Sequence, residues 1–109
     1  MTESSFLRQV QDLVARREVR ISAHGYDELA ADGLFARDVI AGISEAIAVE
    51  EYPDYLKGPC ILVLQRDAGG GPVHAVWGLP KGATSPAVLV TTYRPDPRLW
   101  SDDFTRRRR

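Results

Sequence analysis

The amino-acid sequence predicts an α+β fold, with N-terminal helices packed on a roughly four-stranded antiparallel β-sheet. Three observations carry this. Apolar residues recur at helical spacing through the first 43 residues, and strand-sized apolar runs replace them from Ala46 onward. A glycine-rich turn, Ala68-Gly69-Gly70-Gly71-Pro72, then joins two of those runs as a hairpin. At 109 residues the chain fits a single domain, 1–109, long enough to bury about two-thirds of the surface its unfolded form exposes.

Ser4 or Ser5 caps the first predicted helix, which carries Phe6, Val10, Leu13 and Val14 on one face. Arg16 and Arg17 close it against the negative end of the helix dipole. Val19–Ile21 reads as a short extended linker. Ser22 caps a second helix with Tyr26, Leu29 and Ala30, and Gly33 stops it. Val39, Ile40 and Ile43 mark a third short helix, with Gly42 near its end. The predicted strands are Ala46–Tyr52, Cys60–Asp67, Val73–Leu79 and Ala87–Arg94. The second is apolar on both faces at first and so belongs at the sheet centre. Pro95 and Pro97 end the sheet. Trp100 and Phe104, four apart, suit an apolar pair on a last helical turn that folds back onto the core.

Hydrophobic content of 44% and charged content of 27% are ordinary globular values. The longest apolar runs are too short to cross a bilayer, and Met1–Ser5 lacks the basic start and apolar stretch of a signal peptide. The single cysteine, Cys60, sits in an apolar run, as a buried reduced thiol does. Together these predict a cytoplasmic protein with no membrane partner. The net charge of −1 conceals an asymmetry: residues 1–59 hold eleven acids and six bases, whereas residues 60–109 hold four acids and eight bases. A basic tail, 105–109, supplies half of the latter; such a run either contacts nucleic acid or is simply solvated.

Few residues suggest chemistry. His24 falls in the opening turn of the second helix, where the positive dipole end disfavours an imidazolium. A neutral histidine there suits a general base or a donor to an anion; the plain alternative is a histidine fixed by local hydrogen bonds. Alternation along the third strand places His74 with Val76 and Gly78, away from the more apolar Val73, Ala75, Trp77 and Leu79, so that it faces a cleft or solvent. Alternation also sets Tyr93 with Leu89 and Thr91, and Arg94 with Val90 and Thr92. An arginine at a strand end suits phosphate through its planar fork, and a neighbouring tyrosine suits stacking on a base; an Arg94–carboxylate pair pinning the C-terminal turn is the alternative. Lys81, in the second hairpin loop, is a further phosphate contact or an ordinary exposed lysine. His24 with Asp27 and Glu28 lies on one helical face, but there is no paired-histidine motif, and the sequence predicts neither metal nor cofactor. Nor does it contain a phosphate-binding glycine loop, a zinc-type cysteine pair or a nucleophile elbow.

The ordered segments Ile21-Ser22-Ala23-His24-Gly25, Asp32-Gly33-Leu34, Asp38-Val39 and Glu50-Glu51-Tyr52-Pro53 continue with Gly71-Pro72-Val73-His74-Ala75-Val76 and Thr92-Tyr93-Arg94-Pro95-Asp96-Pro97, then Trp100 and Asp103-Phe104. Over about Val19 to Arg107 this series resembles a bacterial family known as domain of unknown function 4258. The family in turn looks related to small toxins of the RelE and MqsR kind, which cleave messenger RNA without metal and are neutralised by an antitoxin. The resemblance implies a RelE-like fold, an RNA substrate, a cognate antitoxin partner and a site at His24, His74, Tyr93 and Arg94. Where the family usually has arginines in the second helix, this chain has Glu28 and Asp32. That exchange removes positive charge from a helix expected near RNA. A non-catalytic protein-interaction domain on the same fold is the competing expectation. If the site exists, it belongs at the seam between the acidic helical half and the basic sheet half.

Overall fold

The computed structural model describes residues 4–108; Met1–Glu3 and Arg109, the end of the basic tail, lie outside the described residues. The described residues form three α-helices and a five-stranded sheet, so the class is α+β. Helix α1 spans Ser5–Ala15, α2 Ala23–Ala31 and α3 Ala36–Gly42, the last continuing into a 3₁₀ turn at Ile43–Glu45. Ser4 caps α1 by accepting the Leu7 N–H, and Ser22 caps α2 by accepting the Gly25 N–H.

The strands are β1 Val19–Ile21, β2 Ile47–Tyr52, β3 Cys60–Arg66, β4 Pro72–Gly78 and β5 Ala87–Tyr93. Their spatial order is β1-β5-β4-β3-β2, antiparallel except for β1, which pairs parallel with β5. The sheet is therefore mixed and five-stranded, rather than four-stranded and antiparallel. The segment expected to be a linker, Val19–Ile21, is the additional edge strand. Three residues give too little alternation to announce a strand, and its partner lies far along the chain, where local pattern cannot reveal it.

One sheet face carries the helices. Ile61 and Val63 of β3, Val73, Ala75 and Trp77 of β4, and Ala87 and Leu89 of β5 form the core with Leu7, Val10 and Leu13 of α1, Leu29 of α2 and Val39 of α3. Each such large apolar side chain contributes about 1.5–3 kcal/mol by leaving water. Gln65 is a polar member of this layer. Its amide donates to the Val39 carbonyl at 2.6 Å and accepts from the Trp77 indole at 3.2 Å, so α3 is tied to β3 without an unmet polar group.

Among the described residues, no helix covers the opposite face. It bears Cys60, Leu62 and Leu64 of β3, and His74 and Gly78 of β4, which are paired across the sheet with Leu64 and Cys60 respectively. A β-bulge between β4 and β5 matters here. Trp77 pairs with Leu89 but Val76 pairs with Thr91, leaving Val90 as the extra residue. Past the bulge the parity of β5 reverses: Thr92 comes beside Ala75 on the helical side, and Tyr93 beside His74 on the other. Simple alternation had put Tyr93 with Leu89. One inserted residue changes its face.

Residues 95–108 form a strap of turns across part of this helix-free face. Trp100 and Phe104 are not on a helix; Trp100 bridges to Arg107, and Phe104 takes a positive φ of 62°. Trp100 is buried nonetheless. Asp103 shapes the turn by accepting from the hydroxyls of Ser101 and Thr105 and from the Thr105 N–H, which holds its carboxyl down at about 2. The described part of the arginine tail is engaged: Arg107 bonds Glu50, and Arg108 bonds Asp102 and the Pro97 carbonyl.

Candidate functional site

The part of the helix-free face left open by the strap forms a cleft of about 490 Å³, within the size range of small-ligand sites. Its floor is Val88 and Val90 of β5, Gly78 of β4 and Cys60 of β3. One wall is Arg20, Ser22 and His24, on β1 and the start of α2. The other is the loop Tyr55, Lys57, Gly58 and Pro59, with Leu79 and Pro80. Arg20 and Lys57 thus bring positive charge from opposite sides onto an apolar base, and among the described residues no aspartate or glutamate lines it.

Local structure explains both walls. Arg20 pairs with Val88 in the parallel register, so it projects to the same face while Val19 and Ile21 turn to the core. Ser22 caps α2 and donates its hydroxyl to the Val90 carbonyl at 2.8 Å, which employs the bulge residue to fix where α2 begins. Gly25 lets the helix approach: a Cβ there would lie 2.8 Å from the Leu89 carbonyl oxygen. His24 therefore stands at the cleft edge with its side chain 64% exposed, and Glu28, one turn along, comes within 3.7 Å of its Nε2. Opposite, Gly58 adopts a φ of +126°, and a Cβ would run into the Leu79 carbonyl. The Leu79 N–H donates to Pro59, and the Lys81 N–H donates to Lys57. Lys81 thus braces this wall through its backbone, while its side chain is not among those lining the cleft.

Burial raises the Cys60 thiol above its ordinary range, so it stays protonated and contributes apolar floor. Among the described residues, no three histidine, cysteine, aspartate or glutamate side chains gather as a metal-ligand set. No helix among them is long and apolar enough to cross a membrane.

His74 occupies a different environment on the same face. It is completely buried beneath the strap. Its Nε2 lies 2.8 Å from the Phe104 carbonyl, which only accepts, so Nε2 carries the proton and Nδ1 accepts from the Tyr93 hydroxyl at 3.2 Å. Trp100 stands edge-on to the ring at 4.4 Å and Tyr93 at 5.3 Å, with Arg107 over the outer face of Trp100 at 4.7 Å. Desolvation pushes the imidazole below its ordinary value, and it also pushes the Tyr93 phenol up. Both ring nitrogens are taken, and neither faces the cleft.

Arg94 is engaged too. Its guanidinium meets Asp67 at 2.8 Å across the glycine turn, holding that carboxyl below the usual range with help from the Gly71 N–H. Its backbone N–H donates to Asp32 at 2.7 Å. Of the sequence-predicted residues, the cleft gathers His24 alone; buried His74 and half-buried Tyr93 form one bonded cluster, Arg94 pins a turn, and Lys81 is not among the lining residues. The cleft adds Arg20, Lys57 and Tyr55. Arg20 was legible only if Val19–Ile21 were read as a strand, when alternation turns it away from the core. Lys57 and Tyr55 follow from no local pattern.

A family model described as a domain of unknown function, DUF4258, matches residues 21–94. The chain belongs to the DUF4258 family. No curated protein and no solved structure matched it. Within this DUF4258 domain the matched span contains both walls and the floor of the cleft except Arg20, together with His74 and Tyr93, while the strap lies outside it. Glu28 on α2 and Asp32, the residue that caps its C-terminus, have identifiable partners: Glu28 faces His24, and Asp32 ties the end of α2 to the end of β5.

Proposed function

We propose that this chain is a metal-independent endoribonuclease of the toxin type, from a bacterial toxin–antitoxin pair, acting on RNA in the cytoplasm at the His24 cleft. The observation that carries this is the pairing of an open histidine with two cations, Arg20 and Lys57, around one apolar-floored cleft free of lining carboxylates. Neutral His24 takes the proton of a ribose 2′-hydroxyl as its oxygen attacks the adjacent phosphorus. The 5′-oxygen leaves with a proton from solvent or from the Tyr55 hydroxyl, giving a 2′,3′-cyclic phosphate and a 5′-hydroxyl. Arg20 and Lys57 stabilise the charge that builds on the phosphoryl oxygens. His74, buried under the strap, and Tyr93, half-buried beside it, support the sheet face, and Arg94 holds the turn.

The test is incubation of the purified protein with single-stranded RNA, with and without EDTA. Cleavage that survives EDTA and disappears in His24→Ala is expected. A well-folded protein that leaves RNA intact, and whose expression is harmless to cells, overturns the proposal. A second reading, a non-catalytic protein-interaction domain, draws on the sealing of His74 and on Tyr55 and Leu56, which are 56% and 84% exposed beside the cleft. An antitoxin-like partner bound without any RNA cleavage is its signature.

A further inference from the structure

We infer that the cleft seats one unpaired nucleotide, with its base flat on Val88 and Val90, Tyr55 stacked on it from the rim, and its phosphate held between Arg20 and Lys57. This deepens the ribonuclease reading and rests on it for the identity of the polymer; the seat itself stands on the geometry.

A nucleotide has an apolar planar part and a localised anion, and the cleft is divided in the same way. The floor is a sheet face built of two valines, a glycine and a protonated cysteine, and it carries no charge. The charge is confined to the walls. Arg20 is fixed by its strand register beside Val88. Lys57 is fixed by the Gly58 turn and by the backbone bonds joining that loop to Leu79 and Lys81. The backbones that carry both cations are thus braced, which lowers the reorganisation a bridging phosphate requires. Size points the same way: about 490 Å³ admits a single nucleotide and cannot admit a duplex. Tyr55, exposed on the braced loop, offers the aromatic face that single-stranded nucleic acid uses and paired bases cannot reach. The substrate is therefore unpaired at the reacting position.

The experiment titrates the intact chain with short single-stranded RNA bearing 2′-O-methyl riboses, which cannot be cleaved through the 2′-oxygen. The same sequence as a duplex, adenosine 3′-monophosphate and inorganic phosphate are the comparison ligands. The single strand is expected to bind at least about tenfold more tightly than the duplex, and the nucleotide more tightly than phosphate. Tyr55→Ala should weaken single-strand binding by about 5- to 100-fold, the worth of one base–aromatic stack, while Tyr55→Phe restores it. Equal binding of duplex and single strand, phosphate binding as tightly as the nucleotide, or indifference to Tyr55→Ala each overturns the seat. Binding as expected, without cleavage of ordinary RNA, leaves the seat standing and refutes the nuclease. Cleavage of duplex and single strand alike does the reverse.

Discussion

His24 and His74 lie on the same helix-free side of one sheet, yet their surroundings are opposite. His24 stands at the start of a helix, mostly exposed, at the edge of a cleft flanked by cations. His74 is enclosed by Trp100, Tyr93 and the Phe104 carbonyl, with both nitrogens bonded. The difference lies in what covers the sheet. Where the strap crosses, a polar side chain becomes part of the packing; where it does not, the sheet presents a floor. In the sequence the two histidines look alike as chemical candidates, and only the path of residues 95–108 separates them.

The strongest way to break this contrast is to loosen the strap. Trp100→Ala should cost about 3–5 kcal/mol, the usual loss for a buried aromatic side chain, read as a lowered urea midpoint. If stability is unchanged, the strap does not hold the His74 region together. Next, exchanging the histidines should give reciprocal phenotypes. His74→Ala leaves the Tyr93 hydroxyl and the Phe104 carbonyl without a partner and should cost about 2–4 kcal/mol. His24→Ala, at an exposed position, should stay within about 0.5 kcal/mol of the parent in the same denaturation while abolishing RNA cleavage.

Acidity sharpens the contrast further. The folded His74 imidazole lies below its ordinary value of 6.5, chiefly through desolvation and also through nearby Arg107, opposed by the Phe104 hydrogen bond and by Glu50. The unfolded chain therefore takes up a proton before the folded one does. His74 contributes its full stability above pH 6.5 and loses it as pH falls through the lowered folded value. The slope in that window is at most about 1.4 kcal/mol per pH unit. Thermal melts between pH 7.5 and 5 should show this component in the parent and lack it in His74→Phe. The smallest effect belongs to Arg94→Met. It breaks an exposed ion pair with Asp67 and should leave both melting and RNA cleavage close to the parent values. A marked loss of cleavage with intact melting would return Arg94 to the phosphate.

Much of the fold was readable from local pattern. Ser4 and Ser22 announced their helices because a cap is a short-range hydrogen bond. The glycine turn announced its hairpin because its residues fix its own geometry. The two misses within the sheet share one cause, which is distance along the chain. Val19–Ile21 is a strand because Ala87–Leu89 lies beside it. Tyr93 changes face because Val90 is an extra residue relative to β4, a fact that exists only once the strands are paired. The site was half legible for the same reason. His24 follows from its helix, whereas Arg20 and Lys57 meet it only through the parallel edge and the braced loop.

That parallel edge also governs when the cleft exists. Arg20 and His24 are made before Val88 and Val90, the floor beneath them, which lie on β5. The loop to be closed between β1 and β5 encompasses most of the chain, so its closure costs more entropy than that of the local hairpin of β3 and β4. A growing chain therefore carries its histidine well before it acquires the sheet floor of the cleft beside it.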